Sequence, residues 1–152
     1  MIYRLIIFLV LNFTALGVGG LLAGKGASSV WYASINKAPW TPPGWVFGAA
    51  WVTIMICFSI YLAYLWPTTE NKTLLIGLLV IQYLFNIAWN PIFFRYHNIS
   101  LGLFVIIGLT LIVGFILFYY WSILKLKSIL LLPYFIWLLI ATSLNMYAFL
   151  KN

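Results

Sequence analysis

Residues 101–123 read LGLFVIIGLTLIVGFILFYYWSI, an apolar run without a charged side chain. A helix crossing the hydrocarbon of a bilayer needs about 20 such residues. Working outward, four more runs of this kind appear. They are Leu5–Leu22 between Arg4 and Lys25, Gly44–Trp66 entered through Pro42 and Pro43 and expected to end at Pro67, Thr73–Phe94 between Lys72 and Arg95, and Ser128–Leu150 before Lys151. None alternates with period two, so barrel strands are excluded. The expected fold is an all-α membrane protein: one domain over residues 1–152, a bundle of five transmembrane helices with a long ordered loop between helices 1 and 2. The first run also resembles a signal peptide, but its 18 residues exceed an h-region of about 7–15, so a retained helix is expected.

Composition agrees with the runs. Of 152 residues 66% are apolar and 6% charged, against roughly 45–50% and about 25% in soluble domains. Mean hydropathy is +1.12. So few charges cannot clothe a soluble globule, which excludes a soluble enzyme, a nucleic-acid binder and a disordered tail. The net charge of +7 comes from cations scattered singly between apolar runs, the pattern of headgroup anchors. Four cations (Arg4, Lys72, Lys125, Lys127) fall on one side and four (Lys25, Lys37, Arg95, Lys151) on the other, so charge does not orient the chain. Cys57, His97 and Glu70 are each the only residue of their kind. No intrachain disulfide, side-chain metal site, hydrolytic triad or carboxylate pair can be assembled from them. His97 reads as an interfacial residue next to Arg95, and Cys57 as a small core residue.

Residues 25–43 form the one long loop, with Trp31, Tyr32, Trp40 and three prolines. Two readings fit: an interfacial aromatic belt, or a lid folded over a cavity. Prolines stiffen the Pro39-Trp40-Thr41-Pro42-Pro43 segment, which favours the lid. Inside the spans, Gln82, Asn86 and Asn145 stand out. Helical spacing places Gln82, Asn86, Trp89 and Phe93 on one stripe. Phe47, Trp51 and Met55 form a second stripe, and Tyr134, Trp137, Ala141 and Leu144 a third. Buried amides can simply join helices; a Trp on each stripe also fits an aromatic-walled pocket for a flat apolar ligand. In that pocket the Asn86 amide is expected to face the same interior as Trp89. Gly20/Gly24 and Gly44/Gly48 match the GxxxG spacing, and Gly102, Gly108 and Gly114 recur without forming one face.

Three motifs together resemble the TspO/MBR family, the tryptophan-rich sensory proteins related to the mitochondrial translocator protein. The first is Trp31-Tyr32 with Lys37-x-Pro39-Trp40-x-Pro42-Pro43-x-Trp45-x-Phe47 and Trp51. The second is Gln82-x-x-x-Asn86-x-x-Trp89-x-Pro91-x-Phe93-Phe94. The third is Leu132-Pro133-Tyr134-x-x-Trp137-x-x-x-Ala141-x-x-Leu144-Asn145. The resemblance covers essentially the whole chain. It implies a homodimer of five-helix bundles with a ligand pocket under the first loop. Family ligands are porphyrins such as protoporphyrin IX, haem, sterols in some members, and synthetic isoquinoline and benzodiazepine drugs. Carried over by position, the pocket residues are Tyr32, Phe47, Trp51, Asn86, Trp89, Trp137, Ala141 and Leu144. The resemblance also puts the long loop and the C-terminus on the cytosolic side. Two departures weaken the carry-over of the mammalian sterol role: Leu101 stands near the place of an early fourth-helix aromatic, and Leu144-x-x-Tyr147-x-x-x-Lys151 lacks the usual Arg.

The leading expectation is a receptor or sensor for porphyrins and related flat hydrophobic ligands in the bacterial cytoplasmic membrane. Membrane lipid and a second copy are the expected partners, and nucleic acid, metal and an obligatory cofactor are not expected. An alternative is light- or oxygen-dependent porphyrin breakdown, with Trp51 and Trp137 as redox-active side chains. Another is a transporter of porphyrin or sterol-like lipid, which lacks support from a buried ion pair or an inverted repeat. The chain carries no extension beyond the five spans, which favours a bacterial membrane over the mitochondrial outer membrane.

Overall fold

The computed structural model describes residues 1–152 and contains no strand. Five helices are long and apolar enough to cross a membrane. They are α1 (Ile2–Leu22), α3 (Gly44–Thr68), α4 (Lys72–Asn90), α5 (Ile99–Tyr119) and α7 (Leu132–Lys151), with short α2 (Val30–Ser34) and α6 (Trp121–Leu124) in the connections. Helices satisfy each backbone group internally, which lipid requires.

Neighbouring helices close a ring. α1 lies between α3 and α4, α5 between α4 and α7, and α7 returns to α3. The α3–α7 side is the thinnest contact between spans, and a 3₁₀ segment, Lys125–Leu131, fills it at the end away from the long loop. The core is aromatic: Phe58, Tyr61 and Tyr134 are fully buried, with the Phe58 and Tyr134 rings edge-on at 5.4 Å.

Span ends differ from the sequence expectation in four places. α1 starts before Arg4, which lies in its first turn. α3 passes through Pro67 and stops at Thr68; the Lys72 ammonium donates to the carbonyls of Trp66 and Thr69, and Thr68 Oγ1 donates to Leu65 O, so its free carbonyls are capped. The fourth span ends at Tyr119 rather than Ile123, and α7 begins at Leu132, where Pro133 occupies the first turn that proline favours. The third span widens at Pro91 into a π-helical turn, Pro91–Arg95, closed by Tyr96 N donating to Pro91 O at 2.9 Å. A proline lacks the N–H that continues an α-helix, and the wider turn accommodates it.

The surface is apolar, and the largely apolar core encloses a few polar side chains. Leu21, Leu111 and Phe118 are exposed, while Asn12, Ser59 and Gln82 are fully buried. Tyr83 Oη donates to Asn12 Oδ1 at 2.7 Å, Asn12 Nδ2 to Ser59 Oγ at 2.8 Å, and Ser59 Oγ to Met55 O at 2.6 Å. This chain ties α4, α1 and α3 together. Gln82 Nε2 donates to Tyr134 Oη at 2.7 Å, joining α4 to α7 across the bundle. Thr110 and Thr142 hydroxyls bond at 3.0 Å between α5 and α7. Among the glycines, Gly102 receives Phe93, Gly108 receives the Phe85 ring and Gly114 receives Phe135. The α5 glycines thus serve two neighbours, α4 and α7. Gly20, Gly24, Gly44 and Gly48 have no outside atom within 4 Å of where a Cβ would stand, so the two GxxxG matches carry no packing within the chain.

Replacing Asn12 by Leu strands the Tyr83 hydroxyl and is expected to lower stability by about 1–3 kcal/mol. Thermal unfolding in mild detergent, followed by circular dichroism, checks this. The double variant Asn12→Leu/Tyr83→Phe should recover part of the loss.

Candidate ligand pocket

Two glycines in left-handed backbone, Gly24 (φ 66°) and Gly26 (φ 51°), turn the chain out of α1 and start the loop. Ser29 Oγ then accepts from Tyr32 N at 3.1 Å and caps α2. At the other end of α2 the Lys37 ammonium donates to the carbonyls of Tyr32 (2.7 Å) and Ala33 (3.1 Å) and sits 5.1 Å from the Tyr32 ring centre. Lys37 is therefore a cap within the loop, not only a headgroup anchor. The loop lies across one end of the bundle. Trp31 stacks on His97 at 4.3 Å and meets Phe93 edge-on at 5.4 Å, and Tyr32 meets Phe94 edge-on at 5.4 Å. Burial against these rings raises the Tyr32 phenol above its ordinary pKa by desolvation.

Polar contacts fasten the loop to the end of α7. Asn36 N donates to Asn152 Oδ1 at 2.9 Å, and Asn36 Nδ2 to Lys151 O at 3.0 Å. Asn152 Nδ2 returns a bond to Asn36 O at 3.2 Å, and Trp40 Nε1 donates to Ser143 Oγ at 3.1 Å. Of the two readings of this loop, the structure shows the folded one. Left-handed backbone at His97 (φ 54°) ends the π-turn and lays the imidazole flat under Trp31.

Beneath the loop are two cavities that share Phe47, Trp89, Phe94 and Ala141. The smaller one, about 40 Å³, also meets Tyr32, Leu144 and Asn145. The larger, about 470 Å³, also meets Trp51 and Trp137 and runs out between α1 (Leu16, Gly20) and α3 (Gly48, Val52). A volume of roughly 300–1,000 Å³ is usual for a small-molecule site. The walls hold one another by ring contacts: Trp89 lies parallel to Phe93 at 5.2 Å, Phe47 is edge-on to Trp137 at 5.5 Å, and Trp51 is edge-on to Tyr134 at 5.9 Å. Trp89 Nε1 donates to Asn145 Oδ1 at 3.1 Å, and Asn145 Nδ2 to Ile99 O at 3.1 Å, which fixes the indole plane.

Seven of the eight residues singled out from sequence, Tyr32, Phe47, Trp51, Trp89, Trp137, Ala141 and Leu144, line one or both cavities. Asn86 does not. It is buried one turn deeper on α4 than Asn90, with its Nδ2 unpartnered. Asn145 is the buried amide expected from the sequence, and by bonding Trp89 it also holds a wall. The sequence reading passed over Leu16 and Gly20 of α1 and Lys25 of the loop, which line the larger cavity. Lys25 had been read as an anchor, and α1 shows no aromatic stripe to signal a wall. Asn12 was legible as a polar residue inside a span, but its two partners lie 47 and 71 residues away. No group of His, Cys, Asp and Glu could hold a metal.

A five-helix membrane bundle with an aromatic cavity under a fastened loop defines a class of integral membrane protein. Comparison with known proteins makes it specific. The TspO/MBR family model matches residues 7–150. Protein CrtK of Rhodobacter capsulatus is 36% identical over 85% of this chain and 81% of its own. Tryptophan-rich protein TspO of Archaeoglobus fulgidus is 33% identical over 94% of each. The human Translocator protein is 30% identical over 76% of this chain and 70% of its own. This chain belongs to the TspO/MBR family.

Asn36→Ala removes the two bonds that its side-chain Nδ2 donates to Lys151 O and Asn152 Oδ1, without touching a cavity wall. It is expected to speed proteolytic cleavage within residues 25–43 several-fold over the parent while helicity is unchanged. Equal cleavage rates would show that the backbone bonds of Asn36 and the aromatic contacts hold the loop without its amide.

Proposed function

We propose that the chain is a membrane receptor or sensor that binds porphyrins, protoporphyrin IX or haem, and related flat hydrophobic ligands in the larger cavity. The single observation that carries this reading is the convergence of Trp51, Trp89 and Trp137 on one space with Lys25 at its mouth. Flat π-systems gain from edge and face contacts with such rings. A lysine at the mouth suits the carboxylates of a porphyrin. The smaller cavity, about 40 Å³, cannot hold a macrocycle, so the ligand occupies the larger one and enters along its α1–α3 side. The bilayer is the bacterial cytoplasmic membrane, the loop and C-terminus face the cytosol, and the working unit is a homodimer. These three statements come from the resemblance and from bacterial relatives, and mass measurement in mild detergent tests the last.

Trp51 and Trp137 line the same cavity, which favours one second reading: oxidative breakdown of the bound porphyrin in light or oxygen. Protoporphyrin IX added to purified protein, followed in light and in dark, separates the two. Stable stoichiometric binding without spectral loss supports the receptor, and loss that disappears in Trp51→Phe and Trp137→Phe supports the breakdown.

Trp137→Ala is expected to weaken porphyrin quenching by roughly 1–3 kcal/mol, the worth of one buried aromatic wall. Ala141→Thr should narrow the shared space of the two cavities and weaken binding with helicity kept. Asn86→Ala is expected to cost less than Trp137→Ala, because its amide stands outside both cavities. Three variants that bind like the parent would remove the site from between these helices.

A further inference from the structure

A further cavity lies at the opposite end of the molecule and takes no part in the pocket above. It is a groove of about 460 Å³ between α1 and α4, walled by Ile7 and Leu11 on one side and Ile76 and Val80 on the other, with Trp66 of α3 also lining it. Each wall pair is one helical turn apart, so two apolar ridges face each other along the groove. The ridges leave a groove open between them. At the loop end Gly19 lets Asn90 come close. At the other end the Phe8 and Trp66 rings, 6.0 Å apart, fill the space behind the groove.

The groove has a charged mouth and a polar inner end. Arg4 lines the mouth, and Tyr83 lines the inner end, where its hydroxyl bonds to Asn12. From Arg4 to Leu11 the rise along α1 is roughly 10 Å, about two-thirds of the depth of one leaflet. The basic neighbours on this side are already engaged: Lys72 on the carbonyls of Trp66 and Thr69, Lys127 over the Tyr64 ring at 4.2 Å. Arg4 has no partner in the chain, whose one acid is Glu70.

We propose that this groove is a binding site for one acyl chain of an anionic phospholipid, with the lipid phosphate on Arg4. The depth fits a chain entering from one leaflet and stopping at the Tyr83–Asn12 bond. A guanidinium matches a phosphate by paired charge-assisted bonds. A second copy is the competing occupant. Two-fold symmetry in the membrane would set Arg4 at the same depth as the partner's identical cation, with no carboxylate between them. Charge therefore favours the lipid.

The test is lipid retention by native mass spectrometry, with phosphatidylglycerol and phosphatidylcholine of matched chains added in turn. The parent should retain phosphatidylglycerol in preference. Arg4→Gln should cut that retention roughly fivefold, the worth of one basic side chain at an anionic surface, and lower phosphatidylcholine, whose phosphate is offset by its own ammonium, less. Lys125→Gln, on the same side but away from the groove, should change neither. Val80→Trp fills the groove and should lower both lipids; if it loses helicity, Ile76→Phe replaces it. Equal retention of the two lipids by the parent overturns the proposal, as does equal loss in Arg4→Gln and Lys125→Gln. Val80→Cys in a Cys57→Ala background, oxidised in bilayers, should stay monomeric. An efficient disulfide-linked dimer would give the groove to a second copy.

Discussion

Trp89 donating to Asn145, with Asn145 donating to Ile99 O, is the contact on which the loop end of the molecule rests. In lipid, apolar side chains gain little by leaving hydrocarbon for a helix neighbour, so polar bonds and close backbone approach decide which faces meet. This short chain of bonds joins α4, α7 and the start of α5. It also sets the plane of the indole shared by both cavities. Phe93 stacks on that indole, and the α2 aromatics lie on Phe93 and Phe94. Losing the Asn145 amide would therefore loosen the wall and the seat of the loop together.

The same logic separates the two ends of the bundle. At the loop end, small residues and amides bring helices close, and the rings of the π-turn are turned beneath the loop. At the other end the Tyr83–Asn12–Ser59 chain holds three helices, the Phe8 and Trp66 rings meet between α1 and α3, and a groove lies between α1 and α4. One end is thus built to close over a cavity and the other to leave an open groove toward lipid. Average polar contacts between membrane helices are worth about 0.6 kcal/mol. Several together hold an arrangement, here chains through Asn12 and Asn145 and the pairs Gln82–Tyr134 and Thr110–Thr142.

Buried groups left without partners mark where this satisfaction is incomplete. Asn86 Nδ2 and Gln82 Oε1 lie on the same stripe of α4, one turn apart. Gln82 bonds to Tyr134 of α7 and Asn86 precedes Trp89 by three residues, yet neither lines the pocket under the loop. Their cost is part of keeping an amide-bearing helix in the middle of the bundle.

Composition and run length were enough to determine the class, because the thickness of hydrocarbon sets a length that sequence displays directly. Helical spacing likewise put Phe47 with Trp51, and Trp137 with Ala141, since one helix face is a local property. The prolines of residues 39–43 and the aromatics around them pointed to a folded loop. What spacing cannot reveal is which faces of different helices meet. The Asn12 partners, the Asn36–Asn152 clasp, the part of α1 in the cavity wall and the place of Asn86 outside it all depend on contacts between distant segments. So do the corrected span ends, where caps from Lys72 and Thr68 carried α3 through Pro67 and the π-turn absorbed Pro91. These were decided by tertiary packing, because in lipid the polar side chains must find one another wherever the chain has placed them.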